Sequence, residues 1–119
     1  MLGAVRSITV VNSYYDGSVD KDVEVSTALS DVSVYFDRAG TNSDSGVAAS
    51  DLVKIRIPYR DDYFSEDQWL SRRKQNKSSL DWTLRIGDTI IVDGKKKTIL
   101  RFRDNTGRSF SPHWYVEAR

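Results

Sequence analysis

Apolar and polar residues alternate along several short stretches of this chain, and this alternation limits the possible folds more than any other feature. The clearest case is residues 52–57, where three apolar side chains share one face and Lys54 and Arg56 share the other. A period of two is that of a β-strand with one face on a core and the other in water. Similar stretches, some rich in β-branched and aromatic residues, predict further strands at residues 6–15, 23–27, 32–36, 83–86, 89–92, 98–103 and 113–117.

Turn and cap signals separate these stretches. Asp93-Gly94 predicts a two-residue hairpin, because a type I′ turn needs positive φ at both central positions. Ser65, followed three residues later by Gln68, has capping-box spacing and predicts a helix from Glu66 to about residue 74. These short strands and one helix predict a mostly β fold, a small antiparallel β-barrel with one short helix.

The length of 119 residues leaves room for one domain, which we place at residues 1–119. Residues 38–50 are small and polar and contain no large side chain that could anchor them. Loops of this length inside a compact domain are usually functional or disordered, so we predict a long mobile loop here. No apolar run approaches the roughly 20 residues of a membrane span, and no signal peptide is evident, which predicts a soluble, intracellular protein without a membrane partner.

Few residues are available for catalysis. The chain has no cysteine and one histidine, His113, which follows Pro112 at the start of a predicted strand. A lone histidine in such a place is more often a packed or hydrogen-bonded structural residue than a general base. Single glycines lie at turns and none opens a helix, so no phosphate-binding loop is formed. We therefore predict a non-enzymatic protein with no catalytic residue, no cofactor and no metal site.

Charge is unevenly distributed along a chain whose net charge is only +1. Between Asp16 and Asp51 there are eight acidic residues and two basic ones, whereas between Lys95 and Arg108 there are six basic residues and one acidic one. Such asymmetry can steer one surface onto an oppositely charged one, although two solvated faces would look the same. The candidate interface residues are Thr41, Asn42, Ser43, Asp44, Ser45, Gly46, Lys95, Lys96, Lys97, Arg101 and Arg103.

The basic segment, residues 95–108, also permits a second hypothesis. Its lysines and arginines are interleaved with aromatic residues, as in an OB-like barrel that binds single-stranded nucleic acid. Strict alternation, however, places Phe102 with Leu100 on a core-facing side and Arg101 with Lys97 and Ile99 on the opposite side. The nearly neutral chain also lacks the strongly basic character of nucleic-acid binders.

Two C-terminal stretches resemble a known family. Residues 80–94, Leu-Asp-Trp-Thr-Leu-Arg-Ile-Gly-Asp-Thr-Ile-Ile-Val-Asp-Gly, and the last eight residues, Pro-His-Trp-Tyr-Val-Glu-Ala-Arg, resemble a pattern in small neck proteins of tailed bacteriophages and prophages. These are head–tail connector, head-completion, stopper and minor capsid proteins. In them a strand that begins with Gly-Asp and a terminal strand with a His-Trp pair close a small barrel.

The resemblance implies a structural virion protein without a cofactor. Such proteins form a ring of identical copies between the portal or its adaptor and the tail, retain the packaged double-stranded DNA in the lumen and dock the tail. It would be found in the virion neck, and in the host cytoplasm during assembly. The loop at residues 38–50 would project into the lumen or onto the next ring. Adaptor, stopper and tail-terminator roles stay open.

Overall fold

A closed antiparallel barrel of six strands forms the body of the molecule. The computed structural model describes residues 4–38, 51–75, 81–107 and 110–119. Its elements are β1 (Ala4–Asp16), β2 (Lys21–Arg38), β3 (Asp51–Pro58), α1 (Glu66–Lys74), β4 (Thr89–Val92), β5 (Lys95–Asn105) and β6 (His113–Ala118). The order around the barrel is β1-β2-β3-β6-β5-β4, and β4 pairs with β1 to close it. The predicted β-barrel with one short helix is confirmed.

The predicted hairpin turn and helix cap are also confirmed. Asp93 and Gly94 have φ values of 52° and 78°, as the turn between β4 and β5 requires. Helix α1 begins after Ser65, whose backbone N–H donates to the Gln68 side chain in a capping box. Acidic residues occupy its first turn and basic residues its last, which suits the helix dipole.

The stretches at residues 23–27 and 32–36, predicted as separate strands, are parts of the single 18-residue strand β2. Arg6 pairs with Val32 and Ile8 with Leu29, so two residues of β2 oppose one residue of β1 at this point. Asp31, with φ of 61°, lies in this bulge. A bulge bends a strand and strengthens its twist without ending it, so β2 continues where the sequence predicted a break.

A second bulge changes the direction of side chains in β5. Ile99 pairs with Ala118 and Arg101 with Glu117, which leaves Leu100 as an extra residue. Ile99 is therefore buried and Leu100 is 40% exposed, while Phe102 packs against the core. The prediction that Leu100 shares the core-facing side with Phe102 is wrong, because the extra residue reverses the alternation.

The core lies inside the barrel. Inward residues of all six strands form it, with Trp82 and Trp114 in edge-on contact at a centroid distance of 5.3 Å. Trp69 attaches α1: its indole N–H donates to the Asp81 carbonyl at 3.2 Å, and Tyr14 meets its ring edge-on. All three tryptophans are completely or almost completely buried.

Residues 83–86, predicted as a strand, instead form part of a non-strand segment that Asn12 holds against β1. The Asn12 amide nitrogen donates to the Thr83 carbonyl and to the Asp88 carboxylate, each at 2.9 Å, and the Thr83 N–H donates to the Asn12 side-chain oxygen at 3.1 Å. One buried side chain thus supplies hydrogen bonds that a neighbouring strand would supply in a regular sheet.

Replacing Asn12 by alanine should destabilise the protein by about 2–4 kcal/mol, because it leaves buried backbone groups of Thr83 unpaired. Urea denaturation followed by tryptophan fluorescence measures this loss. Ser26→Ala, at an exposed position of β2, is the matched control and should change stability by less than about 0.5 kcal/mol. An Asn12→Ala stability equal to that of the control would contradict the role of the amide.

Trp114→Ala should cost about 3–5 kcal/mol, because Trp114 is only 2% exposed and its ring contacts Tyr63 and Trp82. Within the described part of the chain its indole nitrogen has no hydrogen-bond partner, so Trp114→Phe should retain a larger share of the stability. Thermal melting of both variants tests this. Near-wild-type melting of Trp114→Ala would contradict the contribution of Trp114 to the core.

Candidate interaction surface

The outer surface of β5, β6, β3 and β2 carries two rows of charged and aromatic side chains. In one row the register joins Arg101 to Glu117, Glu117 to Lys54 and Lys54 to Tyr35; in the other it joins Arg103 to Tyr115 and Tyr115 to Arg56. Paired residues of adjacent strands share one face of a sheet. We call these seven residues the basic face: Tyr35, Lys54, Arg56, Arg101, Arg103, Tyr115 and Glu117.

Glu117, the one carboxylate among these seven residues, is engaged on both of its oxygens. The Arg101 guanidinium lies 2.6 Å from one, and the Tyr115 hydroxyl donates to the other at 2.7 Å. Partial burial and the hydrogen bond to Glu117 raise the pKa of Tyr115, so its phenol stays protonated and keeps donating. The carboxylate therefore offsets Arg101 and leaves the rest of the basic face positive.

The remaining cations of the basic face are arranged around Tyr115. Arg56 and Arg103 are exposed and flank it in the register. Within the described residues neither forms an ion pair. The Lys54 ammonium lies 5.9 Å from the centre of the Tyr35 ring, a cation–π distance. Two unpaired arginines beside aromatic rings form a surface suited to an anionic partner.

The structure divides the predicted basic residues into two groups. Arg101 and Arg103 lie on the basic face, but Lys97 is half-buried opposite Ile90, which is on the inner side of the barrel. The prediction that Lys97 shares a face with both arginines is wrong, because the bulge at Leu100 lies between them. Lys95 and Lys96 are exposed beside the Asp93-Gly94 turn. Thr41, Asn42, Ser43, Asp44, Ser45 and Gly46 lie outside the described residues.

Sequence reasoning missed Lys54, Arg56 and Tyr115 as members of this surface. Lys54 and Arg56 were recognised as the outward side of a strand, but that strand is distant in sequence from the basic segment of β5. The missing information was the placement of β6 between β3 and β5. The alternation of each strand shows which of its residues point outward. Those residues can be combined into one surface only when the order of the strands around the barrel is known.

A second charged surface lies on the hairpin of β1 and β2, beyond the residues that pair with β4. We call residues 13–24 the acidic arm. Tyr15 pairs with Asp22 and Ser13 with Glu24, so these side chains share one face of the hairpin. The acidic residues of the arm are Asp16, Asp20, Asp22 and Glu24, and its one basic residue, Lys21, pairs with Asp16 on the other face.

Hydrogen bonds organise the tip of the acidic arm. The Tyr15 hydroxyl donates to Asp20, and this bond raises the pKa of Tyr15. Asp16 accepts from the Ser18 hydroxyl at 2.7 Å and from its N–H at 2.9 Å, and these bonds lower the pKa of Asp16. In the part of the chain that the structure describes, none of the four acidic residues forms an ion pair.

The other charged clusters hold the non-strand segments in place. Asp81 is buried between the guanidinium groups of Arg72 and Arg73, at 2.5 and 2.6 Å. Asp62 accepts from Arg60 and, at 2.7 Å, from the indole N–H of Trp82. Partial burial would raise the pKa of Asp62, but the hydrogen bonds from Arg60 and Trp82 outweigh it and lower the pKa.

A groove of about 810 Å³ opens between the start of α1 and residues 84–88. Its main charged group, Arg85, contacts Asp88 and Glu66 and donates to the Ser13 carbonyl. These contacts occupy the guanidinium as a structural link between the barrel and α1. Ile86, 70% exposed, forms part of the apolar wall.

His113 is buried and makes two polar contacts. It is 6% exposed, its Nδ1 lies 2.8 Å from the Ser111 carbonyl, and its Nε2 lies 3.2 Å from the Asn105 amide. A neutral ring satisfies both contacts when Nδ1 donates and Nε2 accepts. Among the described residues no three or more metal-binding side chains cluster, and no helix there is long and apolar enough to cross a membrane.

Comparison with known proteins gives a family without a function. No curated protein and no solved structure matches the chain. A family model, described as a family of unknown function (DUF6751), matches residues 4–119. This match covers the whole barrel together with α1 and both charged surfaces. The chain therefore belongs to the family of unknown function DUF6751.

Proposed function

We propose that this protein is a structural neck component of a tailed phage or prophage. In this role it is a head-to-tail stopper or connector that forms a ring between the portal or its adaptor and the tail. The ring retains packaged double-stranded DNA and presents a docking surface to the tail. The protein acts in the virion neck and is assembled in the host cytoplasm.

The observation that carries this proposal is the presence of two different, oppositely charged surfaces on one small barrel. A ring of identical subunits needs a heterologous contact, in which one patch of each copy meets a different patch of its neighbour. The acidic arm and the basic face are such a pair. A symmetric two-fold dimer would need only one self-complementary surface.

The parts of the chain that resemble neck proteins also help to close this barrel. Gly87 donates its N–H to the Ile99 carbonyl at 2.9 Å, and Ile99 donates to the Asp88 carbonyl at 2.8 Å, just before β4 begins. Strand β6, which begins with His113-Trp114, lies between β3 and β5. This agrees with what the resemblance implies for a Gly-Asp-initiated strand and a terminal His-Trp strand.

If the proposal is correct, the protein co-purifies with intact phage particles and their necks. An epitope-tagged copy in the strain that encodes the chain should be found by mass spectrometry in tailed particles, and immunogold should label the head–tail junction. Deleting the gene should yield filled heads that lose DNA and lack tails. Absence from purified necks, with normal particles formed by the deletion strain, would refute the proposal.

The basic face favours one alternative, a protein that binds single-stranded nucleic acid. Arginines beside Tyr115 and Tyr35 could contact phosphates and stack bases. Against it, Glu117 lies within the same surface and binds the Tyr115 hydroxyl.

A salt titration of oligonucleotide binding separates the two functions. A nucleic-acid binder that engages about four phosphates should show a log–log salt slope of about −3 for a single strand. Arg56→Glu should make that slope less steep by the contribution of about one phosphate. Asp67→Lys on α1 is the control. For a neck protein we expect no tight single-strand binding at physiological salt. Measured binding with the steep slope would replace the proposed function with the alternative.

A further inference from the structure

The acidic arm and the basic face are complementary but lie far apart on one chain. Strand β2 reaches both, because Glu24 lies on the arm and Ser33 pairs with Arg56 at the edge of the basic face. The nine steps along the strand from Glu24 to Ser33 span about 30 Å at 3.3 Å per residue. The two surfaces therefore do not contact each other within one molecule.

Each surface contains charged side chains that no ion pair within the described residues compensates. In the described part of the chain Asp20, Asp22 and Glu24 form no ion pairs, and the same holds for Arg56 and Arg103. Clusters of like charge repel one another and contribute nothing to the stability of the folded monomer. A partner of opposite charge would remove this repulsion on both surfaces.

Exposed apolar side chains accompany both sets of charges. At the tip of the acidic arm Tyr15 is 60% and Val19 is 51% exposed. On β2 and β5, Tyr35 is 42% and Leu100 is 40% exposed, and Leu100 precedes Arg101 in the chain. An interface commonly has such an apolar centre with a charged rim, because the centre supplies affinity and the rim supplies specificity.

We infer that the acidic arm of one copy docks on the basic face of the next copy, head to tail. Asp22 and Glu24 lie against Arg56 and Arg103, while Tyr15 and Val19 at the tip contact the apolar side chains beside them. This contact rests on the proposed ring assembly and specifies its interface. Because the two patches differ, repetition of the same contact closes a ring when the rotation permits.

A second copy fits the observations better than a nucleic acid does. A polyanion would use the basic face alone and would leave the acidic arm, with its two exposed apolar side chains, without a partner. In a head-to-tail assembly one neighbouring copy covers the basic face and another covers the acidic arm, and Asp22 and Glu24 of each arm are opposite in charge to Arg56 and Arg103.

Paired charge reversals test the contact. The arm variant is Asp22→Lys with Glu24→Lys, and the face variant is Arg56→Glu with Arg103→Glu. These side chains are exposed and form no ion pairs among the described residues, so both variants should fold, as circular dichroism can verify. A control, Asp61→Lys with Asp67→Lys, changes the net charge as much as the arm variant but lies outside it.

Self-association is measured by sedimentation velocity at low salt over a range of protein concentrations. Wild type and control should associate, and added salt should weaken the association. Each reversed variant alone should associate at least about tenfold more weakly, because like charges then meet at the interface. An equimolar mixture of the arm and face variants should recover one contact and form heterodimers.

The outcomes distinguish this inference from the proposed function. Rings that persist in both reversed variants, or a wild type that stays monomeric at every concentration, would overturn the arm–face contact. Neither result removes the protein from purified necks, which is the test of the function. Oligonucleotide binding that is lost in the face variant and is not restored by the arm variant would assign the basic face to nucleic acid instead.

Discussion

The single extra residue in β5 is the constraint on which the rest of this structure depends. A small sheet must pair its edge strands or leave their backbone groups exposed, and here β5 pairs first with β4 and then with β6. The bulge at Leu100 lies within the pairing with β6, between the pairs Ile99–Ala118 and Arg101–Glu117, and bulges bend strands in this way at the corners of barrels. The same residue sets the chemistry of the surface, because it turns Arg101 outward while Ile99 stays in the core.

The acidic arm extends beyond the part of β1 that pairs with β4 and closes the barrel. Beyond Val11, the last residue of β1 that pairs with β4, the arm consists of two strands that pair only with each other. Isolated two-stranded hairpins are marginally stable in water. The arm is anchored at its base by Asn12 and by the contact of Tyr14 with Trp69. Its carboxylates discourage unspecific edge pairing, and in the proposed ring the same charge selects a basic partner.

The sequence predicted correctly the features that are decided by residues close together along the chain. Ser65 and Gln68 located the helix, and Asp93-Gly94 located the hairpin, because caps and tight turns are decided by a few adjacent residues. The two bulges and the non-strand segment held by Asn12 were not predictable in this way. Asn12 and Thr83 are 71 residues apart, and nothing near either one signals the contact. The basic face was half predicted for the same reason: its β5 residues form a local run, whereas its β3 residues join it only through β6.

Weak contacts can still build a stable ring. An exposed ion pair contributes about 0–1 kcal/mol, so two carboxylates facing two arginines do not hold a dimer strongly. In a closed ring each copy makes the contact twice, and the last contact joins ends that are already held near each other at high effective concentration. Such an interface favours free subunits in dilute solution and assembly where copies are gathered on a template, such as an existing ring at the end of a filled head. A fold alone does not support this proposal, since small barrels serve many functions; its support comes from the two oppositely charged surfaces.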